Sequence, residues 1–174
     1  MYYSTKTYGN DRGLSCCFRQ WRADSHCSLL HGYSLGIKLT FAAKTLDDRN
    51  WVQDFGGLQQ FESWMRLMFD HTLIIARNDP LVSDLLKLDS LNLARIQVVD
   101  DVGCEKFAEL CFNKMKQLLG SNDRIKLKSV EVFEHNANSA IYEETLGECV
   151  ICGDPTINKL RDGTFVCSPE CLGG

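Results

Sequence analysis

The chain is organised around residues 18–33, which read FRQWRADSHCSLLHGY. This window holds one thiol, two imidazoles and two guanidinium groups, a set that no other window of similar length contains. Directly after it, apolar residues alternate with glycine or polar ones: Leu35, Ile37, Leu39 and Phe41. A period of two predicts a half-buried strand. We therefore expect the reactive side chains to lie in a loop that leads into a strand.

Length and composition limit the class of protein. With 174 residues, of which 44% are hydrophobic, the chain suits one domain with a core and a small appendage. A net charge of -4 argues against non-specific nucleic-acid binding, which needs many basic groups on one face. No apolar run approaches the roughly 20 residues that span a bilayer, and the first residues lack the apolar core of a signal peptide. We expect a cytoplasmic protein with neither a membrane nor a nucleic-acid partner.

The last part of the chain carries a metal-binding pattern. Nine cysteines are an odd number, which fits poorly with a fully paired disulfide framework. Four of them are spaced as C-x-x-C, a gap of fourteen residues, then C-x-x-x-C: Cys149, Cys152, Cys167 and Cys171. Such pairs of thiolates suit a tetrahedral structural zinc, whereas a disulfide-stapled tail needs an oxidising compartment that nothing else supports. We expect a zinc-ribbon-like tail over 147–174, acidic enough to favour a protein partner or an oligomer contact over phosphate.

The order of predicted elements indicates an α+β fold over 1–146. The predicted elements are a loose lead-in or short edge strand over 1–13, a strand over 14–22, a second strand to about residue 45, a helix after Gly56-Gly57 that ends at Phe69, a short helix over 81–89, a strand over 95–99, a helix over 105–119, and strands over 126–134 and 139–143. A switch of the apolar face predicts a bulge near Ser129. We expect an antiparallel four-stranded sheet with two helices on one face.

Three side chains have the chemical groups that a proton relay needs. Cys27 lies in the organising loop, and Asp70 and His71 stand side by side at the end of the first helix. A thiol, an imidazole and a carboxylate can together form a thiolate and pass protons to and from a substrate carbon. An Asp-His pair also often does no more than cap a helix end.

The same residues carry a resemblance to a known family. Cys27-x-x-x-His31-Gly32, Asp54-Phe55 before a helix, Asp70-His71 at its end and Glu134 late in the third main strand recur in this order. Over roughly residues 14–143 the chain resembles the 6-pyruvoyl-tetrahydropterin synthases and the related 6-carboxytetrahydropterin synthases of queuosine and 7-deazaguanine synthesis. The resemblance implies the tunnelling fold, a homo-oligomeric barrel with sites at subunit interfaces, and carbon–oxygen lyase chemistry on a compound like dihydroneopterin triphosphate.

The resemblance also implies residue roles. Cys27, Asp70 and His71 would move protons, and Glu134 would hold the ring of a pterin- or purine-like ligand. The anchor role makes chemical sense, because a carboxylate accepts two parallel N–H bonds from an aminopyrimidinone edge. Without the resemblance, an exposed strand carboxylate is the simpler interpretation of Glu134.

The zinc histidines of the family are largely missing. Arg22 stands where the first ligand is expected and Tyr33 where the third is expected, which leaves His31. A guanidinium stays protonated and cannot ligate zinc. A shifted alignment could recruit Cys16 or Cys17, or His26 could join His31. We expect the family zinc site to be degraded, which leaves a catalytic zinc in doubt.

Three further substrate contacts are expected at the positions of these departures: Arg22, Tyr33 and Glu105. Arg22, with Arg19, could bind an anionic substrate tail in place of the metal, while the alternative is a surface residue whose stem packs on Trp21. Glu105 keeps the glutamate of the family's Pro-Thr-x-Glu pattern, but the threonine is lost.

Two functions compete at this stage. Retention of the whole proton-moving set favours an enzyme, a lyase of the pterin-synthase type. Loss of metal ligands favours a catalytically inactive barrel that acts as a binding or structural module through its tail. A cysteine hydrolase is a weaker third possibility, since the chain has no Gly-x-Cys elbow or oxyanion motif.

Overall fold

The computed structural model describes residues 1–144, 147–148, 155–156 and 163–166. The chain divides into two compact units, Met1–Tyr142 and Glu143–Gly174. In the smaller unit, two short strands pair antiparallel, β9 (Gly147–Glu148) and β10 (Pro155–Thr156). The predicted zinc ligands lie outside the described residues, so the zinc tail stays a prediction: Cys149, Cys152, Cys167 and Cys171.

The larger unit contains eight strands and three α-helices among the described residues. The strands are β1 (Tyr2–Tyr8), β2 (Ser15–Phe18), β3 (His31–Ser34), β4 (Gly36–Ala43), β5 (Thr72–Ala76), β6 (Arg95–Val99), β7 (Ile125–His135) and β8 (Asn138–Glu143). The helices are α1 (Gln59–Phe69), α2 (Val82–Ser90) and α3 (Cys104–Leu119). The α+β class is confirmed.

The first sheet has the order β1-β4-β7-β8. Strand β4 pairs antiparallel with both β1 and β7, so the N-terminal lead-in is an edge strand. Between β4 and β7 the register shifts, because Thr40 faces Ser129 while Phe41 faces Leu127. Lys128 is therefore the extra residue of a β-bulge, and the bulge predicted near Ser129 is confirmed.

A second four-stranded sheet, with the order β3-β2-β5-β6, was not predicted. Strands β2 and β3 are antiparallel, whereas β2, β5 and β6 run parallel. The first predicted strand was too long, since β2 ends at Phe18 and the chain then turns. The second predicted strand is in fact two strands, because the chain passes from one sheet to the other at the fully buried Leu35, whose N–H donates to the Leu14 carbonyl at 3.0 Å. The alternation of apolar residues with glycine or polar ones continues through Leu35, so the sequence pattern does not indicate the change of sheet.

Helices α1 and α3 close the core against the first sheet. Phe61 of α1 contacts Tyr8 of β1 at a ring separation of 6.3 Å, and α3 packs along β7. Phe107 of α3 is fully buried and packs edge-on against Phe18 at 5.0 Å and against Phe69 at 5.6 Å. The expectation of two helices on one face of an antiparallel sheet is confirmed. In the part of the chain that the structure describes, no helix combines the length and apolar character needed to cross a bilayer.

Candidate ligand site

Aromatic side chains gather around Tyr33 on β3. In the antiparallel pairing Phe18 faces His31, and this places both rings on the side of the sheet that Tyr33 also occupies. The Tyr33 ring lies 6.4 Å from Phe18, 5.7 Å from His31 and 6.2 Å from His135. His135, at the end of β7, accepts the Ala137 N–H on Nδ1 at 3.2 Å. The end of β7 therefore lies next to Tyr33 of β3.

Ionisable groups meet at the same place. Burial is the main cause that raises the pKa of Tyr33, and the charge of Glu134 adds to it, followed by the thiols of Cys27 and Cys104. All three groups therefore lie within electrostatic range of the Tyr33 hydroxyl. We call Cys27, Tyr33, Cys104 and Glu134 the Tyr33 cluster. It unites three of the predicted site residues.

Cys104 is a site residue that the sequence did not single out. It is the first residue of α3, it is 8% exposed, and its thiol lies within electrostatic range of the Glu134 carboxylate. Burial, then the charge of Glu134, raises the pKa of Cys104 to about 12, with a smaller contribution from Glu105. The thiol is consequently a protonated donor at neutral pH, not a nucleophile. Its position directly before Glu105 was the available signal.

Cys27 is held by a short turn. It lies half-buried in a 3₁₀ turn over His26–Ser28, and its N–H donates to the Ser25 Oγ at 3.3 Å. Its carbonyl accepts the Gln20 N–H at 2.9 Å, which closes the loop that begins after β2. The thiol is therefore carried by a segment that is fixed at both ends.

Asp70 and His71 lie together but apart from Cys27. The Asp70 Oδ1 is 2.5 Å from the His71 Nδ1, and His71 adopts a left-handed backbone (φ 54) while its N–H donates to the Ser15 carbonyl at 2.7 Å. The His71 side chain is 87% exposed. Cys16 of β2 pairs with Tyr33 on one side and with Thr72, the residue after His71, on the other. Thr72 and Tyr33 are therefore two strand spacings apart, or about 10 Å. Among the described residues of one chain, the pair makes no hydrogen bond to Cys27.

His71 faces an open groove of about 580 Å³ on the second sheet. Tyr33 also borders this groove, together with Cys17, Leu73 and Arg95. The groove therefore connects the exposed histidine with one edge of the Tyr33 cluster.

The residues present do not fit the three-histidine zinc of the family. The His31 Nδ1 is 2.8 Å from the Leu29 carbonyl oxygen, and neither Tyr33 nor Arg22 replaces a histidine ligand. Within the described ranges, no group of three or more His, Cys, Asp or Glu side chains is arranged to hold a metal ion.

The two arginines of the loop have other partners. The Arg22 guanidinium lies 4.2 Å from the Trp21 ring centre and 3.5 Å from the Asp101 carboxylate, and its side chain is largely exposed. The contact with Trp21 and the exposure of Arg22 agree with the alternative given above, a surface residue that packs on Trp21. Arg19 makes a two-bond fork to Asp79 at 2.8 and 3.3 Å, and the Asp79 side chain is 1% exposed. Arg19 is therefore already paired with a buried carboxylate, so its guanidinium is not available to bind an anionic substrate tail.

Comparison with known proteins gives the family. Residues 10–145 match the family model described as 6-pyruvoyl tetrahydropterin synthase. The chain belongs to this family. The match covers all three helices and every strand of the two four-stranded sheets except β1, which precedes it, so the resemblance of the spaced motif is confirmed.

Individual relatives agree with the family assignment. The chain is 26% identical over 145 residues to a 6-carboxy-5,6,7,8-tetrahydropterin synthase of Aquifex aeolicus, covering 79% of this chain and 86% of that protein. It is 37% identical over 54 residues to the synthase of the same name from Rickettsia bellii, a stretch that spans 30% of this chain and 39% of that protein.

Solved structures show the shared fold. A Wolinella succinogenes protein, WS1659, superposes with a TM-score of 0.68 at 21% identity, covering 83% of this chain and 98% of that one. The 6-pyruvoyl tetrahydropterin synthase of Plasmodium falciparum superposes with a TM-score of 0.57 at 12% identity, covering 80% and 96%. The predicted tunnelling fold is confirmed.

Proposed function

We propose that the Tyr33 cluster binds a pterin- or purine-like ring and that the protein acts on it as a carbon–oxygen lyase. The observation that carries the proposal is the position of the Glu134 carboxylate near the end of β7, where the next residue, His135, contacts the Tyr33 ring at 6.2 Å, in a chain of this family. The matched relatives named 6-carboxytetrahydropterin synthase support this substrate class. A place in queuosine or 7-deazaguanine synthesis, in the cytoplasm, belongs to the same proposal.

Glu134 is the proposed ring anchor. The two oxygens of its carboxylate can accept two adjacent N–H groups of an aminopyrimidinone edge. Burial, then the charge of Glu134, raises the pKa of the neighbouring Cys104 to about 12, so this thiol adds no negative charge beside the ring. A charged acceptor makes both bonds to the ring stronger than a neutral acceptor would.

Tyr33 is proposed to bind the oxygen-rich tail of the substrate. The raised pKa of Tyr33 keeps the phenol protonated, so that it donates a hydrogen bond where the family has a third histidine. Glu105 adds negative charge nearby, and Arg22 remains a candidate for an anionic tail only if it leaves Asp101. In this chain, neutral and cationic donors take over the orientation of the tail.

The proton relay is proposed to require two copies of the chain. Cys27 lies in the Tyr33 cluster, whereas the Asp70–His71 pair is exposed and two strands away. An exposed dyad with a 2.5 Å internal hydrogen bond is ready to meet the thiol of a neighbouring subunit. Asp70 fixes the orientation of the ring, and His71 then exchanges protons with Cys27 and the substrate carbon. The active form is therefore a homo-oligomer with interface sites.

The test is turnover of dihydroneopterin triphosphate followed by mass spectrometry. We expect product from the wild type, none from Cys27→Ala, and an unchanged rate from Cys17→Ala, which removes a half-buried thiol of β2. Equal product from wild type and Cys27→Ala would remove Cys27 from the mechanism. The mass of the product separates the pyruvoyl from the carboxy type of reaction.

A second function is favoured by the lost metal ligands. A ligand-binding barrel without turnover would bind a pterin through Glu134 and dock a protein through the four-cysteine tail. Wild type that binds the pterin but forms no product would support this function over the enzyme.

A further inference from the structure

The segment between His71 and α3 forms a parallel unit, β5-α2-β6, whose two strands end at the same edge of the second sheet. The loops that follow these strands are residues 77–81 and 100–103. Both loops contact the segment 19–22, which leads from β2 towards Cys27.

The central contact is buried. The Arg19 Nε and Nη2 donate to the two carboxylate oxygens of Asp79 at 2.8 and 3.3 Å. Asp79 is 2% exposed as a residue, and its Oδ1 also accepts the Leu81 N–H at 2.8 Å. A planar guanidinium fork of this kind fixes both direction and distance. Arg19 is therefore locked to the loop that starts α2.

Further side-chain hydrogen bonds join the segment 19–22 to the two loops. The Trp21 Nε1 donates to the Asn78 Oδ1 at 3.1 Å, and the Asn78 Nδ2 donates to the Asp101 Oδ1 at 3.1 Å. Asp101 in turn lies 3.5 Å from the Arg22 guanidinium. Three residues of the segment, Arg19, Trp21 and Arg22, are thus held by the two loops.

The segment passes this constraint to Cys27 through the backbone. The Gln20 N–H, between two of the tethered side chains, donates to the Cys27 carbonyl at 2.9 Å. The Gln20 carbonyl accepts the Ala23 N–H at 2.8 Å, which fixes the turn itself. A shift of Arg19 or Trp21 therefore moves the hydrogen-bond partner of Cys27.

We propose that the β5-α2-β6 unit positions the Cys27 thiol through the Arg19–Asp79 fork and the Trp21–Asn78 bond. Arg19, Trp21, Asn78 and Asp79 are positioning residues that act through Gln20. The catalytic consequence rests on the proposed function of Cys27, whereas the mechanical coupling does not.

The test compares Asp79→Asn with Asp100→Asn in the full chain. Asp100 lies in the same unit and also pairs with an arginine, Arg77 at 3.3 Å, but both side chains are exposed. In Asp79→Asn we expect amide exchange of Gln20 to rise at least about tenfold relative to Val130 of the buried core, because local opening adds to global unfolding. Iodoacetamide labelling of Cys27, followed by peptide mass spectrometry, should change at least about threefold, and kcat should fall while KM stays within about twofold. Asp100→Asn should match the wild type in every measurement.

Unchanged Gln20 exchange and Cys27 labelling in folded Asp79→Asn would overturn the proposal, as would an equal rise at Gln20 and Val130. If Asp79→Asn does not fold, Trp21→Phe removes the indole N–H together with the five-membered ring and should give a smaller change in the same direction; no change would overturn the proposal. Full activity of Cys27→Ala would refute the proposed function, yet the exchange of Gln20 would still decide the coupling.

Discussion

Replacing Glu134 by glutamine is expected to weaken pterin binding strongly. The side chain keeps its size and one oxygen, but it loses its charge and turns an amide NH₂ towards a ring donor. The substitution therefore removes at least one charge-assisted bond to the ring.

The size of the effect follows from that loss. A hydrogen bond to a charged group contributes about 1.5–3 kcal/mol. At about 1.4 kcal/mol per tenfold, the dissociation constant should rise roughly 10- to 150-fold. The free energy of unfolding should change by less than about 1 kcal/mol, since Glu134 is only half-buried.

Equilibrium titration of neopterin fluorescence measures this effect at pH 7. Glu131→Gln is the matched control, because Glu131 is on the same strand but is paired with Lys38 at 3.4 Å and with the Ser139 Oγ at 2.8 Å. We expect the control to bind like the wild type. Similar affinity for Glu134→Gln and wild type would refute the anchor role, and equal weakening by both substitutions would refute its specificity.

Three other outcomes are expected. Phe107→Ala should destabilise the fold by about 3–5 kcal/mol and lower the Tm by roughly 10 °C, whereas Phe55→Ala, at a ring 37% exposed, should cost less than half as much; similar losses would contradict the core assignment. Folding raises the pKa of Cys16 from 9.0 to about 12, so the free energy of unfolding should fall as the pH rises above 9. In urea unfolding at pH 10, Cys16→Ala should reduce this loss of stability by roughly 1 kcal/mol. An unchanged pH dependence would contradict the burial of this thiol. Metal analysis should find about one zinc per chain and none in Cys149→Ser/Cys152→Ser; a second zinc that survives this change would contradict the degraded family site.

The sequence predicted the elements that local patterns determine. Helical spacing predicted α1, α2 and α3 to within two residues at most ends, and the change of apolar face predicted the bulge at Ser129. The four-stranded antiparallel sheet followed from the order of these elements. The second sheet could not be predicted, because its parallel pairs β2-β5 and β5-β6 depend on contacts between distant segments.

The site was predicted in part for a similar reason. The spaced motif identified Cys27, Tyr33 and Glu134, which the structure brings together. It gave no sign that the buried Cys104 lies within electrostatic range of Glu134, since a cysteine at a helix start is common and Glu134 is thirty residues away. The role of Arg19 was misjudged because its partner, Asp79, lies in a turn whose burial only the fold determines.

The most direct test of the shared site mixes two inactive variants. Cys27→Ala and His71→Ala should each lose turnover of dihydroneopterin triphosphate when they are prepared alone. If one subunit supplies Cys27 and another supplies His71, subunits mixed in equal amounts should recover about a quarter of the wild-type rate, because a quarter of the interfaces then pair two intact residues. A mixture that forms mixed oligomers and remains inactive would contradict the account.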